Sequence, residues 1–151
     1  MPEKNLIYIA GPLFTVHQRY FLEDIGEIVE NSGFRVYLPH AENNERELNL
    51  AYDEKRKKDI FDNDVNTLLL SKAVIALLDG ADVDSGTAFE IGMAYAFKKP
   101  VLGIRTDMRL FMDNMPVNIM IEQACNDIIY INDSNLGEMD KFIKAFLNEI
   151  L

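Results

Sequence analysis

Three groups of acidic residues stand where the surrounding sequence should be apolar or purely structural. Glu90 is the single charge between Ala88 and Phe97, in the company of Phe89, Ile91, Met93, Ala94, Tyr95 and Ala96. A helix that is apolar nearly all round is a buried helix. Glu90 must therefore face a cavity or be held by partners, because an isolated buried carboxylate is costly or changes its pKa. The plainer alternative is a first-turn acid favoured by the helix dipole. Asp64 shares a helical stripe with Ile60 and Leu68 and so asks for a buried polar partner. Its plainer alternative is a solvated face made with Asp62, Asn63 and Asn66. The third group is Asp79-Gly80-Ala81-Asp82-Val83-Asp84-Ser85-Gly86-Thr87, which follows one apolar run and leads into another. Here Asp84 or Ser85 can cap a helix, Asp79 can form a turn, and Gly86 lets backbone approach a ligand.

Carboxylates from separate segments that converge on one place suit glycosyl chemistry, in which one attacks the anomeric carbon and another acid protonates the leaving group. Metal binding is the competitor. It ranks lower, since hard-cation sites need several ordered oxygen ligands and Glu90 is set among apolar neighbours. No metal and no cofactor is expected. There is no P-loop, dinucleotide glycine fingerprint or G-x-S-x-G, and no Cys/His pairing supported by spacing. Cys125 reads as a helix-end packing residue.

The elements that must position these acids alternate. Leu6 to Ala10 reads as a buried strand closed by Gly11-Pro12, and Thr15 can cap a helix running to Asn31, where Ser32-Gly33 stops it. Phe34 to Leu38 is a second strand. Pro39 to Asp53 is a polar stretch long enough to be a functional loop. Then come a helix over Glu54 to Lys72, a strand over Ala73 to Leu78, a helix over Ser85 to Lys98 and a strand over Pro100 to Ile104. After a loop from Arg105 to Met115, a short helix spans Pro116 to Ala124, followed by a strand over Asp127 to Ile131 and a helix over Leu136 to Ile150. This alternation predicts one α/β domain over residues 1–151, a doubly wound, flavodoxin-like parallel sheet of five strands in the order 2-1-3-4-5. In such a sheet a ligand sits beyond the carboxyl ends of strands one and three, where Gly11-Pro12 and Asp79 to Glu90 fall.

At 151 residues, with 48% apolar and 26% charged residues, the composition is that of an ordinary globular domain. A net charge of −10 opposes binding to a nucleic-acid polymer, whose affinity comes from clustered Lys and Arg. A single cysteine and two distant histidines, His17 and His40, offer neither an internal disulfide nor zinc-ligand spacing, which fits a reducing cytoplasm. The apolar stretch ending at Gly11 is too short for a signal peptide or membrane span.

Four blocks give the sequence a specific likeness: Ile7-Tyr8-Ile9-Ala10-Gly11-Pro12-Leu13-Phe14, Asp62-Asn63-Asp64, Asp84-Ser85-Gly86-Thr87-Ala88-Phe89-Glu90-Ile91-Gly92 and Pro116-Val117-Asn118-Ile119-Met120. Over roughly residues 6 to 125 it resembles the nucleoside 2-deoxyribosyltransferase family. The resemblance implies that Glu90 is the nucleophile, that Tyr8 orients it, and that Asp64 exchanges a proton with the departing and arriving base. It further implies that Asp84, with Gly11, Phe14, Ser85 and Gly86, lines the substrate site. Asn118 and Met120 match residues that the family presents to a neighbouring subunit's site, so a homo-oligomer with shared sites is implied. As residues, these two also read as an amide cap and a core methionine. The chain departs from the best-known bacterial pattern at its C-terminus, where Leu136 to Leu151 reads as a plain helix.

The expected reaction is a retaining double displacement that moves deoxyribose between nucleobases, as in nucleotide salvage. The alternative is hydrolysis of a related N-glycoside, including a deoxynucleoside 5′-monophosphate, for which Thr15, Arg19 and Ser85 are the available phosphate-binding groups. A non-catalytic nucleotide-binding module on the same fold is the reading from a different class.

Overall fold

The computed structural model describes residues 5–43 and 51–151. Five parallel strands form one sheet: β1 (Leu6–Ala10), β2 (Arg35–Tyr37), β3 (Ala73–Leu77), β4 (Val101–Arg105) and β5 (Asp127–Tyr130). Their order is β2-β1-β3-β4-β5, as the alternating pattern predicts. Among the described residues six helices connect and cover them: α1 (Val16–Asn31), α2 (Pro39–Glu42), α3 (Glu54–Leu70), α4 (Ser85–Ala96), α5 (Ile119–Ala124) and α6 (Met139–Glu149), the last preceded by a 3-10 turn at Leu136–Glu138.

Strand side chains alternate between two apolar layers. Ile7, Ile9, Ile75, Leu77, Leu102 and Ile104 pack with Leu22 and Ile25 of α1 and Ile143 and Leu147 of α6. On the other face Leu6, Tyr8, Ala10, Val74 and Ala76 pack with Leu68 of α3 and Ile91 and Ala94 of α4. Every residue of β1, β3 and β4 is buried, which is why these runs carry no alternation of polarity in the sequence.

The capping expectations hold where a side chain can reach. Thr15 accepts from the Gln18 amide and Gln18 answers to the Thr15 backbone, a complete capping box that starts α1. Asp84 caps α4, its Oδ2 accepting from the Thr87 amide at 3.0 Å. Asn118 caps α5 by accepting from Met120, so that helix begins at Ile119 rather than at Pro116. Within the polar stretch Pro39 to Asp53, α2 was not foreseen, and residues 44–50 lie outside the described residues. A fully buried α4 is not what forms. Thr87, Ile91 and Ala94 face the sheet, while Phe89, Tyr95 and Phe97 are more than half exposed. An all-apolar helix needs more cover than one sheet face provides.

Candidate active site

The carboxyl ends of β1 and β3 diverge toward α1 and α4, and the space between them is a cavity of about 520 Å³. Gly11 and Phe14 line it from the loop after β1, Asp84, Ser85 and Gly86 from the start of α4, and Asp64 and Glu90 from its floor and flank. A second, more apolar cavity of about 310 Å³ adjoins it and shares Asp64, Gly86 and Glu90. Phe61 and Phe89 both line this second space and form a tilted ring pair with centroids 6.0 Å apart. The two candidate reacting carboxylates therefore border the same cavity.

Each carboxylate is held by a tyrosine. The Tyr8 hydroxyl donates to Glu90 Oε1 at 2.5 Å, and the Tyr37 hydroxyl donates to Asp64 Oδ1 at 2.8 Å. Tyr8 and Tyr37 are direct register partners on β1 and β2, and their rings stack at 5.3 Å. Burial, reinforced by the negative charge of Glu90, drives the Tyr8 hydroxyl far above the usual phenol range, so it remains a hydrogen-bond donor throughout the working pH range. Tyr37 is raised for the same reason, burial first and then its bond to Asp64. Burial also raises the Asp64 carboxyl, partly offset by the hydrogen bonds from Tyr37 and Asn43. A carboxyl moved upward is better suited to carry a proton near neutrality.

The sequence pattern missed most of the Asp64 support. Asn43 donates to Asp64 Oδ1 at 2.8 Å, and Asn63 donates to both the Tyr37 hydroxyl (2.8 Å) and Asn43 Oδ1 (2.9 Å). Asn63 stood inside a recognisable block without a role. For Tyr37 the available signal was its position at the end of the second strand, level with Tyr8 in the middle of the first.

The wall between β3 and α4 is braced by the neighbouring loop. Asp79 accepts from the amides of Thr106 (2.6 Å) and Asp107 (3.1 Å) and from the Thr106 hydroxyl. Asp107 in turn accepts from the Gly80 amide at 3.0 Å, and its contacts with Arg109 hold its carboxyl below the usual range. The buried Arg105 guanidinium donates to the carbonyls of Leu78 (2.6 Å), Gly80 (3.2 Å) and Arg109 (2.5 Å). These bonds run in both directions between residues 78–80 and 105–109. The turn reading of Asp79 thus captures only part of what it does.

Other expected site residues are placed as follows. Gly11 is required by packing as well as by the ligand space, since a Cβ there would meet Leu22 Cδ2 at 2.7 Å and Leu77 Cβ at 3.1 Å. Phe14 stands 74% exposed at the cavity mouth. Asp84 bonds Thr87 through Oδ2 alone. Asn118 and Met120 line neither cavity. Met120 is 76% exposed, so it is not a core methionine, and it borders a separate apolar hollow of about 450 Å³ between α4 and α5. Cys125 ends α5, partly buried against the second core layer, with its thiol pushed up to about 12 by burial. Among the described residues no group of three or more His, Cys, Asp or Glu side chains is placed to hold a metal ion, and no helix is long and apolar enough to cross a membrane.

The family model described as nucleoside 2-deoxyribosyltransferase matches residues 7–135. A solved 2-deoxyribosyltransferase from the psychrotolerant bacterium Bacillus psychrosaccharolyticus superposes with a TM-score of 0.67 at 24% identity, covering 89% of this chain and 90% of that one. A 2-desoxiribosyltransferase from Leishmania mexicana gives a TM-score of 0.63 at 22% identity over 93% of this chain and 97% of that one. A CMP N-glycosidase from Clostridium botulinum gives 0.56 at 18% over 97% and 99%. At such identities the structural likeness is one of fold. No curated protein matches this chain.

Proposed function

Since this chain belongs to the nucleoside 2-deoxyribosyltransferase family and is thereby an enzyme acting on nucleosides, we propose that it moves a 2-deoxyribosyl group between nucleobases through a covalent intermediate on Glu90. The observation that carries this reading is Glu90, hydrogen-bonded at 2.5 Å by a buried tyrosine and bordering the same cavity as Asp64, whose proton affinity is raised by burial.

In the first half-reaction a Glu90 carboxylate oxygen forms a bond to C1′ as the bond from C1′ to the base nitrogen breaks. The bonding electrons leave on the base, and Asp64 supplies the proton that neutralises it. In the second half-reaction an incoming base attacks C1′ and gives its proton to Asp64, and Glu90 departs as a carboxylate. Two inversions retain configuration, and the kinetics are ping-pong. The Tyr8 hydroxyl fixes the nucleophile and stabilises the carboxylate each time it reappears. Asp84, Ser85, Gly86, Gly11 and Phe14 supply contacts to sugar and base.

Asn118 and Met120 complete the site of a neighbouring copy in this reading. It is supported by the exposure of Met120 and of Tyr95 around the apolar hollow between α4 and α5.

One observation favours hydrolysis of a nucleoside 5′-monophosphate as the second reading: Arg19 and Ser85 both line the larger cavity, a cation and a hydroxyl within one space. Incubation with deoxyinosine, with and without free adenine or cytosine, separates the two. An acceptor-dependent new deoxynucleoside is the expected result. Equal release of base and free sugar without acceptor makes the enzyme a hydrolase, and turnover confined to deoxynucleoside monophosphates selects the second reading. Glu90→Ala is expected to abolish turnover, and normal turnover by that variant would remove Glu90 from the mechanism.

A further inference from the structure

The structure carries a second tyrosine that the reaction scheme does not use, and its bonds are directional. Asp64 Oδ1 accepts from both Tyr37 Oη and Asn43 Nδ2, whereas Oδ2 makes no hydrogen bond among the described residues. Asn63 Nδ2 spends its two hydrogens on Tyr37 Oη and Asn43 Oδ1. A phenol has one hydrogen to give. With Asn63 occupying a lone pair of the Tyr37 oxygen, that hydrogen is directed at Asp64. With Asn63 also holding the Asn43 carbonyl, the Asn43 amino group is turned toward the same oxygen.

From this we infer that Tyr37 is a positioning residue which, oriented by Asn63, commits Asp64 Oδ1 to fixed donors and leaves Oδ2 as the atom that carries the proton to and from the base. The inference rests on the acid–base role proposed for Asp64. When Oδ2–H gives its proton to the leaving nitrogen, the charge that appears on Asp64 is received by two donors already aligned on Oδ1. No side chain has to reorganise at that moment. Burial and these donors act in opposite directions on the carboxyl, so their balance sets the pH at which Asp64 gives up its proton. The other charged and titratable groups lining the two cavities with it, or coupled to it, are Tyr52 just before its helix, Lys57 on its own helix, Tyr8 on β1, Arg19 on α1, and Asp84 and Glu90 at α4. All of them are retained when only the Tyr37 hydroxyl is removed, and Tyr8, whose hydroxyl Tyr37 helps to raise, stays a neutral donor because its own burial dominates.

Tyr37→Phe keeps the ring, and therefore its stacking on Tyr8, and deletes one donor to the anion. Two measurements on the intact enzyme test the assignment. Carbon-13 NMR of carboxyl-labelled aspartate, with the Asp64 signal identified by its absence in Asp64→Asn, is expected to show Asp64 titrating about one pH unit higher in Tyr37→Phe than in the wild type. Asn63→Ala, at an exposed helix position, should move it in the same direction by less. In the pH profile of kcat/KM for the donor nucleoside, the basic limb should move upward with it while the acidic limb stays. Asp64 titrating at an unchanged or lower pH in Tyr37→Phe overturns the role given to Tyr37. Wild-type enzyme that cleaves no nucleoside overturns the functional reading instead, and the NMR titration distinguishes the two failures.

Discussion

Removing the Tyr8 hydroxyl should trap this enzyme part-way through its reaction rather than simply slow it. Tyr8→Phe retains a ring that is fully buried and stacked on Tyr37, so the loss is confined to the 2.5 Å bond to Glu90. A hydrogen bond to a charged group contributes about 1.5–3 kcal/mol. That bond is strong while Glu90 is a carboxylate and weak once Glu90 is esterified to C1′, because the charge has then left the oxygen. Its deletion therefore destabilises the free enzyme more than the covalent intermediate. The internal equilibrium should move toward the intermediate by roughly 10- to 150-fold, with the loss falling on the half-reaction in which Glu90 departs. Quenched-flow mixing with deoxyinosine should show a larger burst of hypoxanthine per enzyme than the wild type gives, followed by slower steady-state transfer to adenine. Mass spectrometry of the quenched protein should find the deoxyribosylated chain enriched. An unchanged or smaller burst, or a covalent population that falls, would refute the reasoning that Tyr8 acts by stabilising the carboxylate.

Asp64→Asn should slow base release from natural nucleosides in the first half-reaction by about 10²- to 10⁴-fold, and fluoride release from a deoxyribosyl fluoride, whose leaving group needs no proton, far less; equal losses in these two release steps would count against an acid role. The same variant tests linkage. Burial raises the Asp64 carboxyl in the folded state, so its contribution to stability is complete below the ordinary carboxyl range and is lost as pH rises through the folded value. Urea unfolding at several pH values should show Asp64→Asn gaining on the wild type from acid toward neutral pH, and a constant difference would contradict the shift. Gly11→Ala forces a Cβ against Leu22 and Leu77 and should cost about 1–3 kcal/mol, a melting temperature lower by about 2–12 °C, read by calorimetry. Arg105→Met removes three donors to loop carbonyls and should cost about 3 kcal/mol, or about 6–12 °C, while a wild-type melting curve would show that the brace between residues 78–80 and 105–109 is not needed for stability.

The parts of the fold legible in the sequence were those driven by local chemistry. Gly11-Pro12 and Ser32-Gly33 punctuate the chain, Thr15 caps the first helix, and the uniformly apolar strands announce a parallel sheet covered on both faces. Glu90 and Asp64 were legible because each breaks an apolar pattern, and both border the cavity at the strand-order switch. What could not be read depends on register and on distance. Tyr37 reaches Asp64 across 27 positions and Arg105 reaches Leu78 across 27, and neither residue type is unusual where it stands. The surface of α4 misled for a related reason: an apolar sequence says that a helix wants cover, and within one chain Phe89, Tyr95 and Phe97 do not obtain it.

The pairing of Tyr8 with Tyr37 across β1 and β2 has a consequence for how such an enzyme can change. The two residues that hold the proposed nucleophile and the proposed acid are tied to each other by a backbone ladder whose spacing is a constant of the polypeptide, about 4.8 Å between strands. Drift in the loops that line the cavity mouth, around Phe14 and Ser85, can alter which molecule is admitted without altering the distance between the two tyrosine anchors. Chemistry is thereby insulated from selectivity. A lineage built on this frame can exchange one substrate for another by remodelling its rim, and insertions beside β1 or β2 are tolerated only where they leave the strand pairing intact.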